Sequence, residues 1–233
     1  MMQAWVRGLA AAVPSRCGVC GAWPAEAVCR ACTVRFMPAQ PRCGRCALPV
    51  PAGVATCGHC LREPPPLDAC HAAVSYSYPW SGLIARFKFQ GQPGQAATLA
   101  GLLRAATGVE EALAQSDLVL PMPLARARLA GRGFNQALEI ARRLAPGRTD
   151  TLLLLRARET PPQASLSRRD RLANVHGAFA VDPLRAVAAL RGRRVALVDD
   201  VMTSGASVFA AARALRDAGA AEVRALVVAR TDE

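Results

Sequence analysis

Apolar positions along the chain fall into short runs separated by stretches of helical spacing. Residues 195–198 are four apolar residues with a β-branched bias, as expected of a strand buried on both faces of a parallel sheet. The run ends in two acids, Asp199 and Asp200. Further strands are expected at 72–78, 117–120, 152–155 and 222–229. Helices are expected at 82–87, with Ser81 as a cap, and at 95–107, 137–144 and 208–218. Strand alternating with helix predicts a parallel α/β core.

The first third of the chain lacks this alternation. Eight of its cysteines stand as four Cys-x-x-Cys pairs: Cys17 with Cys20, Cys29 with Cys32, Cys43 with Cys46, and Cys57 with Cys60. Two intervening residues let both thiolates face one point, and two such knuckles complete a tetrahedral Zn²⁺ site. Four pairs imply two structural zinc ions, and full thiolate ligation leaves no open position for catalysis. Consecutive grouping (Cys17, Cys20, Cys29, Cys32, then Cys43, Cys46, Cys57, Cys60) needs only short loops; interleaving stays open. The spacing points to metal ligation in a reducing compartment, hence the cytoplasm, rather than to disulfides. His59 reads as an exposed neighbour of this set; Cys70 and His71 read as ordinary residues at a strand entrance, with a substitute ligand as the lesser alternative.

Residues 5–13 read as a short helix, their apolar run being broken by Arg7 and Gly8. Pro64, Pro65 and Pro66 favour a stiff, extended connection. The expected organisation is therefore a helix and double zinc ribbon over 1–66 and an α/β domain over 67–233. No apolar run is long enough for a membrane span.

Composition adds a charge. The 233 residues carry a formal net charge of +12, and Lys88 is the only lysine among 29 basic residues. Such an excess favours polyanionic partners, whether phosphorylated substrates or nucleic acid, without choosing between them.

Beyond the paired acids, Thr203, Ser204, Gly205, Ala206 and Ser207 form a small-residue turn that opens onto the 208–218 helix. First-turn N–H groups with nearby hydroxyls make a seat for a phosphate, and glycine lets backbone approach its oxygens. Carboxylates beside a phosphate call for sugar hydroxyls or a bridging Mg²⁺. The plainer alternative is a capped helix preceded by exposed acids. The stretch closely resembles the fingerprint of type I phosphoribosyltransferases, with Ser204 where a second threonine is common. That resemblance implies that Asp199 and Asp200 hold the ribose hydroxyls of phosphoribosyl pyrophosphate, and that residues 203–207 hold its 5′-phosphate.

Two other places fit a polyphosphate. Pro121, Met122 and Pro123 follow the 117–120 strand, where the family resemblance implies a pyrophosphate loop. Arg126, Arg128 and Arg132 are spaced through the following glycine-bearing loop and can each bind two phosphate oxygens; a solvated basic surface competes with that reading. Lys88, between two phenylalanines, is either a snorkelling surface lysine or a phosphate contact.

Cysteine knuckles, the run Arg132-Gly133-Phe134-Asn135-Gln136 and the 198–205 fingerprint, in this order, resemble the ComF family of competence-associated proteins over about residues 14–230. The resemblance implies that 160–179 is a segment folding over the site, with Gln163, Arg171 and Asn174 as lid residues. The expected fold is thus α/β, a type I phosphoribosyltransferase-like parallel sheet flanked by helices, preceded by a small zinc-ribbon domain. The implied activity, if the chain is an enzyme, is phosphoribosyl transfer from phosphoribosyl pyrophosphate with Mg²⁺ to an unidentified acceptor, a pentosyltransferase reaction. The alternative is a non-catalytic factor of DNA uptake that binds single-stranded DNA or DNA-uptake proteins and uses the pocket as a ligand sensor.

Overall fold

The computed structural model describes residues 15–158 and 177–232, in two compact units, 1–39 and 40–233. The expected helix over 5–13 and the lid residues Gln163, Arg171 and Asn174 lie outside the described residues.

Within the first unit, Ser15 bridges Ala25 in antiparallel fashion, and helix α1 (Arg30–Phe36) starts directly after Cys29. The second unit opens with the same device: Arg42 bridges Pro49, and helix α2 (Gly58–Arg62) starts after Cys57. The hydrogen bonds repeat as well. Cys17 N–H donates to Ala22 and Gly18 N–H to Ala27; Cys43 N–H donates to Leu48 and Gly44 N–H to Ala55. Gly21 has φ +76°, and its counterpart Ala47 holds φ +57° although it carries a side chain. The cysteine region is thus one ribbon built twice.

Four parallel strands form the main sheet of the second unit: β1 (Ala69–Ser75), β2 (Leu118–Pro121), β5 (Arg194–Met202) and β6 (Glu222–Arg230), in the order β1-β6-β5-β2. Among the described helices, α3 (Trp80–Phe89), α4 (Gln95–Arg104) and α5 (Val109–Gln115) lie between β1 and β2; α6 (Arg126–Arg132) and α7 (Gln136–Leu144) follow β2. Helix α7 packs on β2 and β5, and α4 packs on α7, β1 and β6. Helix α8 (Pro183–Leu190) precedes β5, and α9 (Ala206–Asp217) follows it. Val195 and Leu197 join Ala211, Ala212 and Leu215 of α9 in one hydrophobic cluster, whereas Ala196 and Val198 point to the opposite face. Burial on both faces makes β5 a continuous apolar run.

Three details depart from expectation. The strand carrying the acids does not stop before them: Asp199 pairs with Val227 and Met202 with Arg230, so β6 holds β5 extended for four further residues. The 152–155 run does not enter the parallel sheet. Leu152 and Leu155 are exposed, and β3 (Leu154–Arg156) pairs antiparallel with β4 (Phe179–Val181) in a separate two-stranded sheet. Ser81 does not cap α3, which starts two residues earlier than expected, at Trp80, with Pro79 at the cap position.

Candidate functional site

A cleft of about 180 Å³ opens at the carboxyl end of β5, where open parallel sheets place ligands. Asp199 and Asp200 lie in its lining. Asp200 is buried, and its backbone N–H donates to Asp199 Oδ1 at 2.8 Å. Helix α3 buries Leu83, Ile84 and Phe87, and so directs Lys88 into the same cleft, where Nζ reaches Asp200 Oδ1 at 2.9 Å. Burial raises the Asp199 carboxyl to about 7, and the neighbouring Asp200 charge adds to the rise while Lys88 opposes it. Two adjacent carboxylates with one ammonium leave a site that favours hydroxyl donors or a cation.

The turn after β5 supplies the opposite chemistry. Gly205 sits at φ +81° in the cap position of α9, and a Cβ there would lie 2.6 Å from both Met202 Cε and Phe209 Cζ. Only glycine fits both the backbone angle and the space. The bend brings the start of α9 to the cleft, which Thr203, Gly205, Ala206 and Ser207 line. Ser204 is not in the lining; it is buried, and its Oγ accepts from Ala206 N–H at 3.4 Å.

The facing wall is basic. The arginine-bearing stretch expected as a loop is the helix α6, which buries none of its residues and ends at Gly133, φ +76°. Arg128 and Arg132 line the cleft; Arg126 does not. Arg132 is held by Gln136 Oε1 at 2.9 Å and lies 5.1 Å from the Phe89 ring centroid. Met122, Pro123 and Leu124 contribute to the lining, whereas Pro121 is the buried last residue of β2. Asn135 fixes this corner: its side chain caps α7 by accepting from Leu138 N–H, and donates to the Met122 carbonyl at 3.0 Å.

Sequence reasoning did not assign Arg156, Asn135 or Gln136 to the lining. The guanidinium of Arg156 lies 5.3 Å from the Phe179 ring centroid, across the β3–β4 pair. Its placement depends on that antiparallel pairing, which no local pattern announces. Asn135 and Gln136 had a signal, since they lie in the run that carries the family resemblance. Among the described residues the lining thus holds Lys88, Arg128, Arg132 and Arg156 against two carboxylates.

Each cysteine quartet gathers consecutively. Cys17, Cys20, Cys29 and Cys32 bring their sulfurs within 4.8 Å of one another, as do Cys43, Cys46, Cys57 and Cys60. A tetrahedron with Zn–S of about 2.3 Å has sulfurs roughly 3.8 Å apart. The separations are 3.9 Å for Cys17–Cys32, 3.8 Å for Cys20–Cys29 and 3.7 Å for Cys46–Cys57, so both quartets fit zinc. Burial works against the Cys17 thiolate, yet N–H groups of Cys20, Cys29 and Val19 bring it down to about 6. Backbone donation in the second quartet likewise outweighs burial at Cys43, which is brought to about 7. Cys70 is not a fifth ligand in either group: it is buried in β1 with its Sγ 3.7 Å from Met202 Sδ.

A phosphoribosyl transferase domain model matches residues 129–233. The DNA utilization protein YhgH of Escherichia coli K12 is 31% identical over 235 residues, covering 94% of this chain and 98% of that protein. Competence protein F of Haemophilus influenzae is 34% identical over 180 residues, 74% of this chain and 77% of that one. The adenine phosphoribosyltransferase of Mycobacterium avium is 34% identical over 128 residues, 53% of this chain and 64% of that one. With two cysteine quartets ahead of a parallel sheet, and relatives matching along nearly its whole length, the chain belongs to the ComF family, in which a double zinc ribbon precedes a phosphoribosyltransferase domain.

Proposed function

We propose that the cleft binds phosphoribosyl pyrophosphate. The reading rests on one observation: adjacent carboxylates, a glycine-opened helix start and a basic wall line the same cavity. Thr203, Gly205, Ala206 and Ser207 receive the 5′-phosphate through N–H and hydroxyl donors. Asp199 and Asp200 accept from the ribose hydroxyls. Arg128, Arg132 and Arg156 face the pyrophosphate, with Met122, Pro123 and Leu124 as the floor. Ser204 orders the turn from within. Mg²⁺ arriving with the ligand would neutralise pyrophosphate charge, and the two carboxylates are suited to water-mediated contact with it.

In a transfer reaction, the C1–O bond breaks with its electron pair leaving on pyrophosphate, and an acceptor lone pair forms the new bond to C1. The arginines stabilise the leaving charge, and the acids favour the cationic character developing at C1. Titration calorimetry with phosphoribosyl pyrophosphate and Mg²⁺ tests the binding. Replacing Asp199 and Asp200 together by alanine should abolish it while circular dichroism stays native; undiminished binding overturns the assignment. Pyrophosphate release across a panel of bases and amines then identifies the acceptor.

A second reading is favoured by the relatives named for DNA utilization and competence and by the +12 charge. In it the chain binds single-stranded DNA and the pocket senses a sugar phosphate. Affinity falling steeply with salt supports it, and a flat salt response counts against it. In either reading the two quartets carry structural Zn²⁺ in the reducing cytoplasm.

A further inference from the structure

Lys88 and Asp200 form an ion pair at the acids to which the proposed reading assigns the ribose. Their separation is 2.9 Å, with 16% and 9% of the side chains exposed, so neither group is free in solvent. Every other one of the 29 basic residues is arginine, so the cleft holds the chain's single lysine. A guanidinium presents a planar fork of fixed donors, whereas an ammonium is a compact charge on a flexible stem that can change partners.

A neutral hydroxyl is a weaker partner for a buried carboxylate than an ammonium is. A sugar offering hydroxyls alone can share Asp200 with Lys88, which holds only Oδ1, but it gives the ammonium no new partner. An anionic group on C1 supplies that partner, beside Arg128, Arg132 and Arg156. We propose that Lys88 is the specificity-determining residue of the cleft, exchanging Asp200 for the pyrophosphate, so that the site selects a ribose 5-phosphate bearing pyrophosphate on C1 over the same sugar with a free C1 hydroxyl. The inference rests on the proposed binding of phosphoribosyl pyrophosphate.

Calorimetric titration of the full chain with phosphoribosyl pyrophosphate and, separately, ribose 5-phosphate tests it, both with Mg²⁺ and at about pH 8. Lys88→Met should weaken the first ligand by about ten-fold or more, the scale of a lost charge-assisted hydrogen bond, and tighten the second. Lys88→Arg should keep part of the preference. A loss by the same factor for both ligands, or a preference of undiminished size in Lys88→Met, overturns the role of Lys88 alone. A wild-type chain that binds neither ligand overturns the binding assignment and the role of Lys88 with it. Should Lys88→Met not fold, amine-directed acylation of the wild-type chain gives the answer, because Lys88 is the only lysine and its labelling is read by mass spectrometry. Phosphoribosyl pyrophosphate should slow that labelling and ribose 5-phosphate should not; equal protection by the two overturns the proposal.

Discussion

Arg230 Nε donates to the carbonyl of Cys46 at 3.0 Å, tying the second cysteine quartet to the end of β6. The same guanidinium reaches the Met202 carbonyl at 3.4 Å, at the end of the strand that carries Asp199 and Asp200. Only 2% of Arg230 is exposed. With further bonds to Thr231, the buried guanidinium links the second cysteine quartet to the strand end beside the cleft.

Replacing Arg230 by methionine should therefore cost about 1–3 kcal/mol, since it removes the guanidinium donor from the Cys46 carbonyl, whereas the Met202 carbonyl keeps the Thr231 N–H. Thermal unfolding measures that loss. Zinc release to a chelator should also accelerate at the second quartet and not at the first; unchanged release kinetics would show that the carbonyl contact does not support the metal site.

The two quartets differ in what depends on them. All four sulfur-bearing residues of the second are buried, and Cys43, Cys46, Cys57 and Cys60 belong to the hydrophobic cluster that includes Leu197 and Val227 of the sheet. In the first, Cys20 is exposed. The wild-type chain should carry two zinc ions by elemental analysis, and Cys20→Ser and Cys46→Ser one each. Cys46→Ser should lower the melting temperature of the sheet unit markedly, because the lost metal leaves buried thiols in its core. Cys20→Ser should leave that transition in place. Equal shifts would refute the distinction.

The parts legible in the sequence were those whose signal is local. Knuckle spacing gave all four Cys-x-x-Cys pairs because each is a local geometric instruction, while their consecutive grouping, expected from loop length alone, is seen only in the fold. The turn at Gly205 was readable from its run of small residues ahead of a helix, whereas its left-handed angle and its packing against Met202 and Phe209 are set by the fold. Features set by distant partners were not readable. Nothing in the order Asp199, Asp200, Val201, Met202 says that β6 continues to pair alongside them. Helix α6 buries no residue, so it lacks the apolar stripe by which helices are recognised. Arg156 is one arginine among many until β3 and β4 bring it over Phe179.

Gly205→Ala should be destabilising in spite of its small size. The left-handed conformation costs a residue with Cβ about 1–2 kcal/mol, and the new methyl would sit 2.6 Å from Met202 Cε and Phe209 Cζ. A total of about 2–4 kcal/mol is expected in chemical denaturation, with weaker phosphate binding because the turn must shift. A neutral result would mean that the turn relaxes without strain.

Asp199 gives the pH dependence a definite sign. Its carboxyl rises from an ordinary 3.8 to about 7, first because it is buried and then because Asp200 is adjacent. Between these values the folded chain binds more protons than the unfolded one, so stability contributed here falls as pH rises and the full cost is present above about 7. Asp199→Asn removes the ionisation. It should therefore be more stable than wild type by about 1–3 kcal/mol at pH ~8, with the difference shrinking as pH falls toward ~5. The cysteine quartets are the same in both proteins, so the difference between the two denaturation series isolates this carboxyl. Its ligand affinity should fall at the same time, since an amide cannot replace the carboxylate as acceptor for two hydroxyls. A variant that is less stable than wild type at high pH would show that Asp199 is held by partners that favour its charge.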